Sequence, residues 1–244
     1  MTGKILSPLL TLAFLALAPS APAAPYGDAR WYLYSNQWAE TEPVVLRLRH
    51  DNHRQVKTFS ETWDIYDEAG NIVAQYYWSE DDRWSAPHQS RTWEWNQRQA
   101  CYGACENVWE GDPAPPGRYR IVTMMDGKEV SKWFSIGAYF HIAFEGRPNA
   151  DYVVFSNRAE WVTQMRAELQ RPLDERRFVV GTVKTRKPGY NPDWSYVLDP
   201  PTVELAEASI EVCDGSPYYV EHHLKAWRDQ TWCPWSSHVA SEGL

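Results

Sequence analysis

The chain has 244 residues, enough for one large domain or two ordinary ones, and 43% of them are hydrophobic, as in a globular protein with a buried core. A formal net charge of −8 argues against nucleic acid and against an anionic membrane surface, which both call for dense Lys/Arg. Tryptophan and tyrosine are abundant, at 14 each; such residues fill pleated core faces or, where exposed, form platforms for sugar or peptide.

The first element is a targeting segment. Lys4 precedes the apolar run from Ile5 to Ala18, and the small-residue stretch PSAPAA follows. This is the order of a secretory signal peptide, too short to span a bilayer, spanning residues 1–23 with cleavage after Ala23. The mature protein is expected to be secreted or periplasmic, with no membrane insertion after cleavage. In an oxidising compartment four cysteines imply disulfides. Three pairings are open; the simplest joins Cys101 to Cys105 and Cys213 to Cys233. Zinc at these thiols is the rival reading, and CxxxC spacing permits it.

From Trp31 to Ile136 short β-prone runs alternate with turn signals. Strands are predicted over Trp31–Ser35, Val44–His50, Thr58–Tyr66, Ile72–Trp78, Ser90–Trp95, Arg118–Met124 and Glu129–Ile136. Asp126-Gly127 is a two-residue hairpin signal that sets Thr123 opposite Val130, Ile121 opposite Lys132 and Tyr119 opposite Phe134. Pro115-Pro116-Gly117 is a rigid turn before the penultimate strand. Seven strands at this spacing predict an all-β immunoglobulin-like antiparallel sandwich over residues 25–137.

Two stretches in this region, SETWDIYDEAGNIVAQYYWSEDDRW (Ser60 to Trp84) and APPGRYRI (Ala114 to Ile121), resemble the intracellular proteinase inhibitor domain family. The matching positions include Trp63, Asp64, Gly70, Trp78, Ser79 and Tyr119. The resemblance implies a sandwich and a protein partner, a peptidase among the candidates. The insertion that carries Cys101 and Cys105 departs from the family pattern.

After Gly137 the period becomes mixed, which predicts a small α+β domain with a disulfide over residues 138–244. Strands are expected at Tyr139–Phe144, Tyr152–Phe155 and Arg177–Thr185. Asn157 with Glu160 reads as a capping box for a helix whose apolar stripe is Trp161, Val162, Met165 and Leu169. Ser216-Pro217 opens a second helix with Val220, Leu224 and Trp227 on its buried line. The motifs YNPDWSYVLDP, IEVCD, YVEHHL and WCPWSS occur in order here and resemble small secreted bacterial proteins labelled "calmodulin-binding protein".

No GxSxG, P-loop, HExxH or EF-hand pattern is present. His222 and His223 diverge on a helix, and His50 with His53 lacks a visible third metal ligand. Glu211 and Asp214 flank Cys213, as structural acceptors or as part of a calcium site. Candidate binding residues are Tyr190, Asn191, Asp193, Trp194, Trp232 and Trp235, which mix aromatic faces with short polar groups and prolines. The alternative is that Trp194, Trp232 and Trp235 build a core around the bridge. The expected function is a non-catalytic binding protein without cofactor, a protein-interaction module or proteinase inhibitor. Carbohydrate or cell-envelope binding is the second reading. A hydrolase, drawing on Asp199, Glu211, Asp214, His222 or His223, is the third.

Overall fold

The computed structural model describes residues 29–33, 35–40, 42–50, 59–77, 90–100, 111–125, 127–208 and 210–244. The expected signal segment, the Cys101–Cys105 bridge, His53 and the Trp78-Ser79 motif lie outside them. The described residues are mostly β-structure with a few short helices. In chain order come β1 (Ala29–Leu33), β2 (Gln37–Ala39), β3 (Val44–His50), β4 (Phe59–Asp67), β5 (Ile72–Tyr77), β6 (Ser90–Trp95), β7 (Gly117–Met125) and β8 (Lys128–Phe144). Then follow β9 (Tyr152–Ser156), α1 (Ala159–Glu168), β10 (Phe178–Thr185), β11 (Tyr196–Leu198) and β12 (Glu204–Ala206). The chain ends with α2 (Pro217–His222), α3 (Leu224–Trp227), β13 (Thr231–Trp232) and β14 (Ser237–Glu242).

Two sheets share the first core. One has the order β1-β3-β6, and the other runs β8-β7-β4-β5 with β2 parallel to β8. Successive side chains on a strand face opposite ways, so Val44, Leu46 and Leu48 on β3 bury together while Arg47 and Arg49 do not. They meet Trp63, Ile65, Tyr119, Ile121, Phe134 and Ile136 of the second sheet. The register of β7 on β8 matches the pairs set by the hairpin signal: Thr123 with Val130, Ile121 with Lys132, Tyr119 with Phe134. Gly127 supplies the positive φ (75°) that this turn needs.

β8 corrects one expectation. Instead of separate strands at 129–136 and 139–144, one 17-residue strand runs through Gly137. Its first part pairs with β7, and its second with β9 and β14. Beyond Gly137 its Phe140, Ile142 and Phe144 enter a second core with Tyr152, Val154, Val162 and Met165. β10 completes that core by pairing in succession with β12, β13 and β11. These partners have two or three residues each, too few for a periodic sequence signal. Cys213 and Cys233 are joined across 20 residues and pack on Phe178 and Val180.

The first helix is capped differently from the expectation. Its N-cap is Arg158, with no side-chain capping bond. Asn157 instead ends the β9 run and donates from Nδ2 to Ser135 Oγ at 3.2 Å, so a tertiary contact takes the amide that the capping box would use. The second helix does begin at Ser216, whose Oγ accepts from the Tyr219 amide at 3.2 Å. It breaks at His223, which leaves helical dihedrals (φ −123°, ψ 27°) and divides it into α2 and α3.

Candidate binding groove

The six expected binding residues do not form one platform. Trp194 and Trp232 are buried, with 4% and 1% of their surfaces exposed, and pack with Tyr152 and Tyr196 in the second core. Their indole N–H groups are spent on the Asp151 and Gly215 carbonyls. Asn191 is buried as well, accepting from the Val153 amide at 2.8 Å and donating to its carbonyl at 2.6 Å. The physical reason is supply: a small α+β layer needs large side chains to fill its interior, and these tryptophans are the fill. Tyr190 is half-buried against Tyr139, Asp193 is exposed, and Trp235 is exposed beside the disulfide, its amide held by Asp214 Oδ1.

The five residues considered for hydrolysis do not assemble either. His222 and His223 are exposed, and each Nδ1 engages a carbonyl one turn back, Tyr218 and Tyr219. A His–carboxylate contact occurs elsewhere: His141 Nδ1 lies 3.0 and 3.1 Å from the two Asp151 oxygens. His141 lines a cavity of about 540 Å³ with Ser35, Tyr139 and Tyr190. Ser35 Oγ is no poised nucleophile, since it donates to the Gln37 carbonyl (2.5 Å) and accepts from the Gln37 amide (3.0 Å) in a local turn. Among the described residues no group of three or more His, Cys, Asp or Glu is placed to hold a metal.

The largest recess described, about 720 Å³, lies where the solvent face of β7–β8 meets the second half of the chain. Trp133 and Ser135 of β8 and Arg118 of β7 line it, facing Asn157 and the Asp199–Pro201 turn. Trp133 is 38% exposed. The Arg118 guanidinium sits over its ring at 4.4 Å, and Arg120, its cross-strand partner, at 5.7 Å. Arg120 also lies 5.9 Å from the Tyr66 ring on β4. Tyr66, Arg120, Trp133 and Arg118 thus make a row across three strands, with Glu129 3.5 Å from Arg120 and Glu68 3.9 Å from Arg118. Partial burial, then the Asp64 carboxylate, raise the Tyr66 phenol above its ordinary pKa, so it stays neutral and donates to Asp64 at 3.3 Å.

None of this row was among the expected site residues. The signal was available, because the register that sets Tyr119 opposite Phe134 also sets Arg120 opposite Trp133 on the other face. An Arg and a Trp paired on a face the core does not use are a surface feature.

Residues 137–243 match the family model described as the BP-74 N-terminal domain. No curated protein matches the chain. The matched segment begins at Gly137 and contains the disulfide, the β10 layer and the Asp199–Pro201 wall of the groove. It also covers the half in which the sequence resembles the secreted "calmodulin-binding protein" group.

Proposed function

We propose that this protein is an exported, non-catalytic binding protein that acts on another protein, with an immunoglobulin-like first domain and a second domain of the matched family type. The observation that carries the reading is the exposed Tyr66–Arg120–Trp133–Arg118 row. Trp, Tyr and Arg are the residue types enriched at protein interfaces and among their dominant contacts, because they cover large areas while losing little conformational freedom. Here they are also pre-ordered by stacking, which lowers the entropy cost of binding.

Several features support the domain assignment. One sheet carries β1-β3-β6 and the other β8-β7-β4-β5, with hairpin neighbours on each. The Tyr119 hydroxyl donates back to the Pro115 carbonyl at 2.5 Å, the tyrosine corner of such folds. The disulfide is of the kind kept in oxidising compartments, and no helix among the described residues is long and apolar enough to cross a membrane. A peptidase is one class of partner this reading admits. Sugar binding is the weaker reading: Trp194 and Trp232 are buried, and the Trp133 ring already carries guanidinium groups.

The test is capture of proteins from the secreted and envelope fraction of the source organism on immobilised mature protein, beside Trp133→Ala. A defined partner held by the wild type and lost with the variant is expected. Retention of every partner by Trp133→Ala, or sedimentation with an insoluble polysaccharide in place of a protein, would overturn the proposal.

A further inference from the structure

The groove beside the aromatic row has a chemistry of its own. Although the whole chain is acidic, three cations line it: Arg118, Lys132 and Arg186. Arg118 is balanced by Glu68 at 3.9 Å. The other carboxylate in the groove, Asp199, lies 3.9 Å from Lys184. Among the described residues Lys132 and Arg186 have no carboxylate partner, and Arg186 reaches only the neutral Gln37 amide, at 3.2 Å, and the Tyr190 phenol. A second observation is independent of charge. Asn157 lines the same groove with only 9% of its surface exposed. Its Nδ2 is used by Ser135, but its Oδ1 is buried and has no hydrogen-bond partner. A buried amide oxygen left this way is costly, so it marks a place where a donor belongs.

We infer that the groove takes an extended acidic peptide segment of the protein partner, its carboxylates meeting Lys132 and Arg186 and one backbone N–H reaching Asn157 Oδ1. This rests on the protein-binding reading above and specifies its ligand. A recess of about 720 Å³ is far larger than a lone inorganic anion requires and suits a short chain segment. A peptide carries both things the groove lacks, negative charge and N–H donors. Pro200 and Pro201 form a stiff wall along it.

The test is fluorescence anisotropy of a fluorescein-labelled oligoglutamate peptide against the full mature protein. Binding should weaken as salt rises, since the contacts are exposed ion pairs. The Lys132→Ala/Arg186→Ala double variant should bind about tenfold more weakly or worse, as loss of charge-assisted hydrogen bonds predicts. Lys225→Ala, on α3 and outside the groove, should bind like the wild type, and circular dichroism should show the double variant folded. Equal affinity for a labelled Gly-Ser peptide, or oligoglutamate binding that ignores the double variant, would overturn the inference. So would tighter binding of polygalacturonate than of oligoglutamate. If oligoglutamate fails while a partner is still captured in a Trp133-dependent way, the acidic-peptide inference falls and the binding reading stands. If both fail, both fall.

Discussion

At Gly137 an added Cβ would lie 2.0 Å from the Ser156 carbonyl oxygen and 2.8 Å from its carbon. Both atoms belong to the backbone of β9, which is fixed to β8 by its own ladder, so neither can step aside cheaply. Gly181 is a useful contrast, because its Cβ would meet Leu198 side-chain atoms at 3.0 to 3.4 Å, and a leucine can rotate. Gly137→Ala should therefore cost about 3 kcal/mol, the upper end of overpacking losses, and Gly181→Ala about 1 kcal/mol. Urea denaturation of both variants checks this; equal midpoints would show that β9 yields more easily than its hydrogen bonding implies. Asn191 teaches a related lesson at the same scale. In sequence its amide looks free for a ligand, yet in the fold both of its ends bind the Val153 backbone. A polar side chain is a site candidate only after the chain has taken what it needs.

At the scale of elements, Glu168 ties the end of α1 to the start of β10. Its carboxylate has 1% of its surface exposed and accepts from the Arg177 backbone N–H (2.8 Å), the Arg177 guanidinium (2.8 Å) and Arg171 (3.3 Å). Burial alone would raise its pKa, but the Arg177 hydrogen bonds and charge, with Arg171, outweigh that and hold it below the ordinary value. A carboxylate with a lowered folded pKa adds stability that is complete above its unfolded pKa of about 4.3 and is lost as pH falls through the folded value. Glu168→Gln should cost roughly 2–3 kcal/mol at pH 7, and the gap from wild type should shrink below about pH 4. A gap that stays constant from pH 7 to pH 3 would mean the carboxylate contributes packing and not charge. Elements also show why the sequence was readable only in part. The β7–β8 hairpin was legible to the residue pair because Asp126-Gly127 fixes register locally. The Ser216 cap was legible for the same reason, its partner lying three residues on. Asn157 was not, because Ser135, 22 residues away, competes for its amide. The groove was illegible as a whole, since it joins Arg118, Trp133, Asn157 and Pro200, which only the tertiary fold brings together.

At the scale of the whole molecule, strand and core divide the chain differently. β8 is continuous through Gly137, yet the first core ends at Ile136 and the second begins at Ala138. The family match also begins at residue 137. Beyond the shared strand, the links between the halves are few and polar: Arg166 to Glu40, Arg186 to Gln37, and the Tyr139 hydroxyl to the Gln37 carbonyl. Such contacts at partly exposed positions add little stability. A fragment of residues 137–244 keeps every member of the second core, the whole of β9 to β14, and the Cys213–Cys233 bridge. It should therefore fold alone and unfold in one cooperative step, with a stability on the order of 5–15 kcal/mol. Reducing the bridge should remove about 3 kcal/mol of that, the loop-closure value for a crosslink of this span. Near-ultraviolet circular dichroism followed through a urea titration reads both effects through the buried tryptophans. A fragment with native secondary structure but no near-ultraviolet signal would show that the first half of β8 is needed to set the packing of the second. The groove would then lie within one cooperative unit, and ligand bound there would raise the stability of the whole chain; with independent halves, ligand spanning the groove would instead couple two separate transitions.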